Sequence, residues 1–158
     1  CPACPVRASC NARRTHRVDQ LPNLGPRAAA TARQFIAFVI QNRGHYLVRQ
    51  RRAGQVNAHL WEFPNLEITA ADNSTPAQLA RKHLGLRLNH LTELCTIRHT
   101  ITRYRITLQA FRAAIPKSAI RNPQSAIVWL PLAQLDTLAF TSAHRKILHQ
   151  LQDMEIAK

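Results

Sequence analysis

The strongest restriction on the fold of this chain comes from an apolar run, Gln34 to Gln41 (QFIAFVIQ). Both alternate sets of positions in this run are apolar, which is typical of a strand buried on both faces. The next residues, Asn42-Arg43-Gly44, have the composition of a tight turn, and His45 to Arg52 follows as the partner strand. We therefore expect a β-hairpin whose first strand lies in the core.

Helix and strand signals continue along the rest of the chain. Thr75-Pro76 places a capping hydroxyl before a proline at the first helical position, and Gly85 ends the helix so predicted. Apolar residues alternate with polar ones after Thr102, which predicts a strand with an arginine-rich outer face. Strands are expected at about 90–99, 102–113 and 126–130, and a last helix from about residue 140. This order predicts an α+β domain with a mixed or antiparallel sheet and flanking helices.

Composition divides the chain into three parts. Residues 1–17 hold three cysteines and four arginines, and they predict a small cysteine-bound segment. Residues 18–32 are rich in Pro, Gly, Asn and Ala without periodicity, which indicates an interdomain linker. Residues 33–158 form the expected domain. Because position 1 is Cys rather than Met, we expect the chain to be part of a longer protein.

The charge of the chain points to a polyanionic partner. There are 22 Lys and Arg against 8 Asp and Glu, for a formal net charge of +14. No acid occurs between Gln20 and Trp61 or between Leu94 and Leu135, so we expect a surface of one sign that binds phosphates. No apolar run approaches the roughly 20 residues of a membrane span. The candidate phosphate contacts are Arg49, Arg51, Arg52, Arg103 and Arg105; a generic solvated basic face is the alternative.

The cysteine spacing C-x2-C-x5-C at Cys1, Cys4 and Cys10 is typical of a metal centre. Zinc and an iron–sulfur cluster both require four ligands, so the fourth is expected upstream of residue 1. An RNA-binding zinc knuckle is the alternative, and its only nearby fourth ligand would be His16. Cys95 lies inside a predicted strand, where a small buried thiol is expected.

Four segments, in order, resemble the MutY-type A/G-specific adenine DNA glycosylases. The segment CPACPVRASC at the start resembles the end of that family's iron–sulfur motif, and Leu60-Trp61-Glu62-Phe63-Pro64 resembles its LWEFP segment. Arg98 to Arg103 occupies the place of the family's H-x-F-S-H loop, and Ala143 to Leu148 resembles its usual ending. The resemblance covers nearly the whole chain.

This resemblance implies the lesion-recognition part of an enzyme that hydrolyses the N-glycosidic bond of adenine mispaired with 8-oxoguanine. In the family a Nudix-like domain recognises 8-oxoguanine, and an upstream domain cleaves the N-glycosidic bond of the adenine. This chain alone is therefore expected to be inactive. Cys1, Cys4 and Cys10 would be three of the four ligands of the parent's [4Fe-4S] cluster. The implied partners are double-stranded DNA with 8-oxoguanine:adenine mispairs and the upstream catalytic domain, in a cytoplasmic, nucleoid-associated protein.

The resemblance also implies which residues recognise the lesion. Thr102 stands where the family has Ser, and its hydroxyl can both donate to and accept from a base edge altered at N7 and O8. Ile101 replaces Phe and keeps an apolar wedge, whereas Arg103 replaces His and supplies a permanent cation. His99 is the fourth candidate. A plain β-turn with a surface threonine is the alternative.

Nudix hydrolysis is not expected of this chain. That chemistry uses an R-E-x-x-E-E-x-G helix whose glutamates hold Mg²⁺ against a pyrophosphate. Aligned on Gly85, the Arg and Glu positions fall on Gln78, Leu79, Lys82 and His83. None of these side chains is a carboxylate, so no Mg²⁺ site is predicted.

Overall fold

In the computed structural model, which describes residues 1–23, 25, 29–69, 71–115 and 127–156, seven strands and four α-helices are found. The strands are β1 (Thr31–Asn42), β2 (His45–Gln50), β3 (Trp61–Glu62), β4 (Asn65–Ile68), β5 (Asn89–Ile101), β6 (Tyr104–Ala114) and β7 (Ile127–Pro131). The helices are α1 (Asn11–Arg14), α2 (Pro76–Leu84), α3 (Leu132–Leu135) and α4 (Ser142–Ile156). The predicted order of hairpin, helix, strands and terminal helix is confirmed.

The predicted first hairpin is confirmed at residue level. Asn42 pairs with His45, so the turn between β1 and β2 contains only Arg43 and Gly44. Both turn residues have positive φ, at 49° and 77°. Two left-handed residues in a two-residue turn match the right-handed twist of the strands. Gly44 adopts this conformation without steric cost, whereas Arg43 adopts it at a steric cost.

A parallel pair of strands lies at the centre of the sheet. The strand order is β3-β2-β1-β6-β5, with β4 also paired to β1 and β7 to β2. β1 and β6 run parallel in continuous register from Thr31↔Tyr104 to Gln41↔Ala114. β5 and β6 are antiparallel neighbours, as the sequence predicted. The mixed sheet is therefore confirmed, although no local signal indicated that β6 would pair with β1.

Two apolar clusters cover opposite faces of β1. On one face Ala37 and Val39 pack in a cluster with Ile147, Leu148 and Leu151 of α4. On the other face Ile36, Phe38 and Ile40 share a cluster with Leu79 and Ala80 of α2. The expectation that β1 is buried on both faces is confirmed, because one helix lies on each side of the sheet.

The short helices of the amino-terminal part contain no buried residue. It contains 3-10 turns at Arg7–Ser9 and Val18–Gln20 on either side of α1. β1 begins at Thr31, two residues before the domain boundary that composition suggested. Parts of three predictions, namely the linker, the second acid-free stretch and the strand 126–130, lie outside the described residues. Within the described ranges no helix is long and apolar enough to cross a membrane.

Local capping signals account for both ends of α2. The Thr75 hydroxyl accepts a hydrogen bond from the Gln78 N–H, and the Gln78 side chain accepts one from the Thr75 N–H. Pro76 is the first helical residue, and Gly85 ends the helix with φ of 67°. The predicted bounds of this helix are therefore confirmed.

Replacement of Thr75 by Ala should lower the free energy of unfolding by about 1 kcal/mol, because the Gln78 N–H loses its acceptor. Urea denaturation of the chain would measure this loss. Ser74→Ala removes the neighbouring exposed hydroxyl and should change the free energy by less than about 0.5 kcal/mol. Equal losses for the two variants would show that the capping box does not stabilise the helix.

Candidate nucleic-acid interface

Several loops leave the sheet at one end, which we call the Thr102 end. β1 and β6 begin there, because they run parallel from Thr31 and Tyr104. β5 ends there at Ile101, since it is antiparallel to β6. β2 runs back from its turn with β1 in the direction of this end, and β3 starts where β2 stops, level with the middle of β1. The predicted lesion-recognition residues Ile101, Thr102 and Arg103 thus lie together at the Thr102 end of the domain.

Thr102 and Arg103 form a tight two-residue turn between β5 and β6. Ile101 pairs with Tyr104 as the last rung of the ladder, so both turn residues project beyond the sheet. Thr102 has φ of 52°, a left-handed conformation that is unfavourable for a β-branched residue. The N–H of Thr31 donates to the Arg103 carbonyl at 2.9 Å, which ties the turn to β1. The Thr102 side chain is exposed at the tip, and Ile101 beside it is 41% exposed.

A cation–π stack supports the base of this turn. Two guanidinium groups lie over the Tyr104 ring, with Arg33 at 5.1 Å and Arg103 at 5.3 Å from its centroid. Arg103 Nη2 also donates to the Tyr104 hydroxyl at 3.2 Å. This hydrogen bond and the positive charge of Arg103 lower the pKa of Tyr104. Arg33 itself is held by a bidentate ion pair with Glu67, which raises its pKa.

The two faces of the β5–β6 hairpin carry different predicted residues. Side chains alternate along a strand, so Arg98, Thr100 and Arg105 point to the face opposite Ile101 and Tyr104. All three are exposed. The structure therefore places two exposed cations on one face of the hairpin, next to the Thr102 turn.

His99 lies on the other face, partly covered by α4. Its Nδ1 is buried and has no hydrogen-bond partner among the described residues. Burial, together with the positive charge of Lys146 on α4, lowers the pKa of His99. His99 lies on the same face as Ile101, two residues before it, and a contact from His99 to the lesion stays a prediction.

Arg49 and Arg51, two of the predicted phosphate contacts, both bind Glu62. Arg49 Nε donates to Glu62 Oε1 at 2.8 Å, and Arg51 Nη1 donates to Glu62 Oε2 at 2.6 Å. Only 3% of the Glu62 side chain is exposed. Burial would raise the pKa of this carboxyl, but Arg49 and other polar neighbours more than reverse this effect and lower it. The two guanidinium groups neutralise a buried charge, whereas Arg52 is exposed.

Sequence reasoning missed the role of His144, which belongs to the same buried polar group. Its Nδ1 accepts a hydrogen bond from the N–H of Phe63 at 3.2 Å. Burial lowers the pKa of His144 to about 4, so the imidazole is neutral at pH 7. His144 is followed by Arg145 and Lys146, so the sequence pattern did not indicate that this histidine is buried. Only the resemblance of Ala143–Leu148 to the family's ending drew attention to the segment.

The three amino-terminal cysteines do not converge on one point. Cys1 and Cys4 are exposed, and Cys10 is half-buried. Nowhere in the part of the chain that the structure describes do three or more His, Cys, Asp or Glu residues form a metal-binding group. A surface cavity of about 600 Å³ is lined by Cys1, Cys10, His16 and the arginines Arg7, Arg13 and Arg14. The thiols are chemically suitable ligands for iron or zinc, and their role as ligands stays a prediction.

The face of α2 where Nudix chemistry would require carboxylates carries none. The residues Pro76–Leu84 contain no Asp or Glu, and the last turn of the helix is basic. Leu79 is buried in the core, while Lys82 and His83 are exposed. This helix therefore supplies no carboxylate ligand for Mg²⁺.

A mixed sheet with α2 on one face and α4 on the other defines a Nudix-like α+β domain. The chain belongs to the NUDIX domain family, since the family model for that domain matches residues 36–150. This match covers most of the chain and excludes the cysteine segment.

Several solved structures share the fold. The E. coli ORF135 protein is 20% identical, with a TM-score of 0.66, over 85% of this chain and 98% of that chain. The C-terminal domain of mouse MUTYH, solved with human PCNA, is 20% identical, with a TM-score of 0.63, over 78% and 89% of the two chains. Shewanella oneidensis NrtR, solved with a 27mer DNA, is 16% identical, with a TM-score of 0.63, over 77% and 61%. At these identities the likeness establishes the fold alone.

The stability of the domain should depend on the protonation of His144. Between pH 6.5 and about 4 the unfolded chain binds a proton at this residue that the folded chain does not. The free energy of unfolding should therefore fall by about 3 kcal/mol through His144 as the pH drops across this window. Urea denaturation at a series of pH values measures the loss.

Two variants distinguish the contribution of His144 to the pH dependence of stability from that of other titrating groups such as Glu62. His144→Asn keeps an acceptor for the Phe63 N–H but cannot titrate in this range, so its profile should be flatter than that of the unmodified chain. His149→Asn changes an exposed histidine on the same helix and should leave the profile unaltered. Identical profiles for His144→Asn and the unmodified chain would contradict the assignment.

Proposed function

We propose that this chain is the 8-oxoguanine-recognition part of an A/G-specific adenine DNA glycosylase that acts in base excision repair. The observation that carries the proposal is the Thr102–Arg103 turn, an exposed hydroxyl beside a cation at the tip of a rigid basic hairpin. The parent enzyme would remove adenine paired with 8-oxoguanine, and its cleaving residues would lie in an upstream domain.

The chemistry of the turn suits an oxidised purine edge. Guanine has an acceptor at N7, whereas 8-oxoguanine has an N–H donor at N7 and a carbonyl at C8. The Thr102 hydroxyl can accept from the first and donate to the second, so the same group can tell the two bases apart. Ile101 supplies an exposed apolar surface that can press against a base step.

Charge around the turn supports a duplex partner. Arg98, Arg103 and Arg105 are exposed on the hairpin, and Arg52 is exposed on the loop after β2. Exposed arginines of this kind bind phosphates and release counterions. Arg49 and Arg51 are bound to Glu62, so we propose phosphate contacts chiefly from Arg52, Arg103 and Arg105.

Two further observations favour lesion recognition over hydrolysis of free nucleotides. α2 lacks the carboxylates that Nudix hydrolysis requires. The fold is shared with the C-terminal domain of mouse MUTYH, although also with MutT proteins and with NrtR. Cys1, Cys4 and Cys10 remain proposed ligands of a parent [4Fe-4S] cluster, and iron and zinc analysis of the purified protein tests that part separately.

Replacement of Thr102 by Ala should reduce discrimination between 8-oxoguanine and guanine duplexes by roughly 1–3 kcal/mol, because the base edge loses its hydroxyl partner. Fluorescence anisotropy with 8-oxoguanine:adenine and guanine:adenine duplexes measures the ratio of the two dissociation constants. Equal loss of affinity for both duplexes would overturn the proposal.

Two matched variants control this measurement. Thr102→Ser keeps the hydroxyl in the turn and should retain most of the discrimination. Thr92→Ala removes an exposed threonine ten residues earlier, at the other end of β5, and should change neither affinity. Effects of equal size from Thr92→Ala and Thr102→Ala would assign the loss to the strand rather than to base recognition.

Replacement of Arg105 by Gln should weaken binding to every duplex and reduce the slope of log affinity against log salt by about one. The reason is that one phosphate contact, with its released counterion, is lost whatever the sequence. Arg43→Gln removes an exposed arginine from the opposite end of the sheet and should leave the slope unchanged. Salt titrations of the two variants compare the slopes, and an unchanged slope for Arg105→Gln would remove this residue from the interface.

A further inference from the structure

The segment from Arg51 to Leu60 joins β2 to β3, and we call it the 51–60 loop. β2 runs back from its turn with β1 in the direction of the Thr102 end, and Arg49 near the end of β2 donates to the carbonyl of Asn65, which pairs with Ala37 in the middle of β1. The loop therefore leaves the sheet level with the middle of β1, on the side of β1 opposite the β5–β6 hairpin.

Hydrogen bonds order the 51–60 loop from its base to its tip. At the base, the N–H of Arg51 donates to the Leu60 carbonyl at 2.9 Å, and the N–H of His59 donates to the Arg51 carbonyl at 2.9 Å. Nearer the tip, the N–H of Ala58 donates to the Gln55 carbonyl at 3.0 Å. The side-chain amide of Gln50 binds the His59 carbonyl at 2.9 Å. These bonds hold the exposed side chains of the loop in one arrangement.

Arg51 connects the tip of this loop to the buried carboxylate. While its Nη1 donates to Glu62, its Nε donates to the Val56 carbonyl at 2.7 Å. One guanidinium group thus bridges a core charge and the outermost part of the loop. Because Arg51 is held in this bridge, its guanidinium group is not available to bind phosphate. Its role is to position the loop instead.

Left-handed residues shape the loop, and two of them are not glycine. Gly54, Asn57 and His59 have φ of 84°, 58° and 66°. This conformation is sterically unfavourable for a non-glycine residue and persists only where surrounding contacts enforce it. Such strained, well-held segments concentrate at binding sites.

The loop presents an apolar tip among hydrogen-bonding and cationic side chains. Val56 is 74% exposed, and Arg52, Asn57 and His59 around it are exposed as well. The loop contains no acid, and it lies within the acid-free stretch between Gln20 and Trp61. An apolar wedge flanked by donors and a permanent cation fits a DNA groove and its phosphates.

We propose that the 51–60 loop is a second contact element for duplex DNA, with Val56 against the groove and Arg52 on a neighbouring phosphate. This inference rests on the proposed function for its choice of partner. The loop grips the duplex to one side of the lesion and does not read the altered base.

A charge-reversal pair at Val56 tests the loop directly. Val56→Asp places a carboxylate against phosphate and should weaken binding of the full chain to duplexes with and without 8-oxoguanine by the same factor, about tenfold. Val56→Lys should strengthen binding to both. Anisotropy titrations provide the dissociation constants, and the exposed position leaves folding intact, as thermal denaturation would verify.

Matched controls come from the opposite end of the sheet. Ile156 is 85% exposed at the end of α4, next to Glu155, which binds Arg112 near the β1–β2 turn end. Ile156→Asp and Ile156→Lys make the same changes in net charge and should alter affinity by less than about twofold. If the Val56 variants behave like the Ile156 variants, the loop does not contact DNA and the inference is wrong.

Failure of the inference can be told apart from failure of the proposed function. If the unmodified chain binds 8-oxoguanine and guanine duplexes equally, the lesion-recognition proposal fails. The affinities of Val56→Asp and Val56→Lys for undamaged DNA still show whether the loop contacts DNA. Duplexes shortened to two base pairs on one side of the lesion provide an independent check. Shortening on the loop side should lower the affinity of the unmodified chain about tenfold and should leave the affinity of Val56→Asp almost unchanged. Equal losses of affinity for the two proteins would overturn the inference.

Discussion

The parallel pairing of β1 with β6 is the interaction on which the rest of the structure depends. It aligns Thr31 with Tyr104, so the Thr31 N–H meets the Arg103 carbonyl and Arg33 lies against the Tyr104 ring. The same pairing places β1 between two apolar clusters, one under α4 and one under α2. The Thr102 turn is thus bound to a strand that is held on both edges and both faces.

A second constraint comes from burying one carboxylate. Glu62 lies in the core, where an unpaired charge would be strongly unfavourable, so Arg49 and Arg51 remain bound to it. This pairing diverts two arginines from the surface, and it links the core to the loop through the bond from Arg51 to Val56. His144 stays neutral beside this group because burial outweighs the nearby negative charge. Core electrostatics and the shape of the proposed interface are thus coupled.

Elements defined by neighbouring residues could be predicted from the sequence. Thr75, Pro76 and Gly85 fix both ends of α2 through caps that act within a few residues. The Arg43-Gly44 turn follows from the same kind of local signal. In the site, the family resemblance placed Ile101, Thr102 and Arg103 in a loop, and the structure has Thr102 and Arg103 at an exposed turn. The strand bounds predicted from the sequence, 90–99 and 102–113, were wrong at this turn, because β5 extends to Ile101 and β6 begins only at Tyr104. The partners of Arg49, Arg51 and His144 could not be predicted, because Glu62 and Phe63 reach them only through strand pairing and helix packing.

The amino-acid sequence alone established the α+β class, the bounds of the hairpin and of α2, the excess of positive charge, and the absence of carboxylates from α2. These properties depend on residue identity and on contacts within a few positions along the chain. Folding established which of the many arginines are available to a ligand: Arg49 and Arg51 are bound to Glu62, whereas Arg52 and Arg105 are exposed. It also placed the Thr102 turn at the start of the parallel pair β1–β6, where the Thr31 N–H donates to the Arg103 carbonyl. Availability and position depend on non-local strand register, which no local pattern of residues encodes.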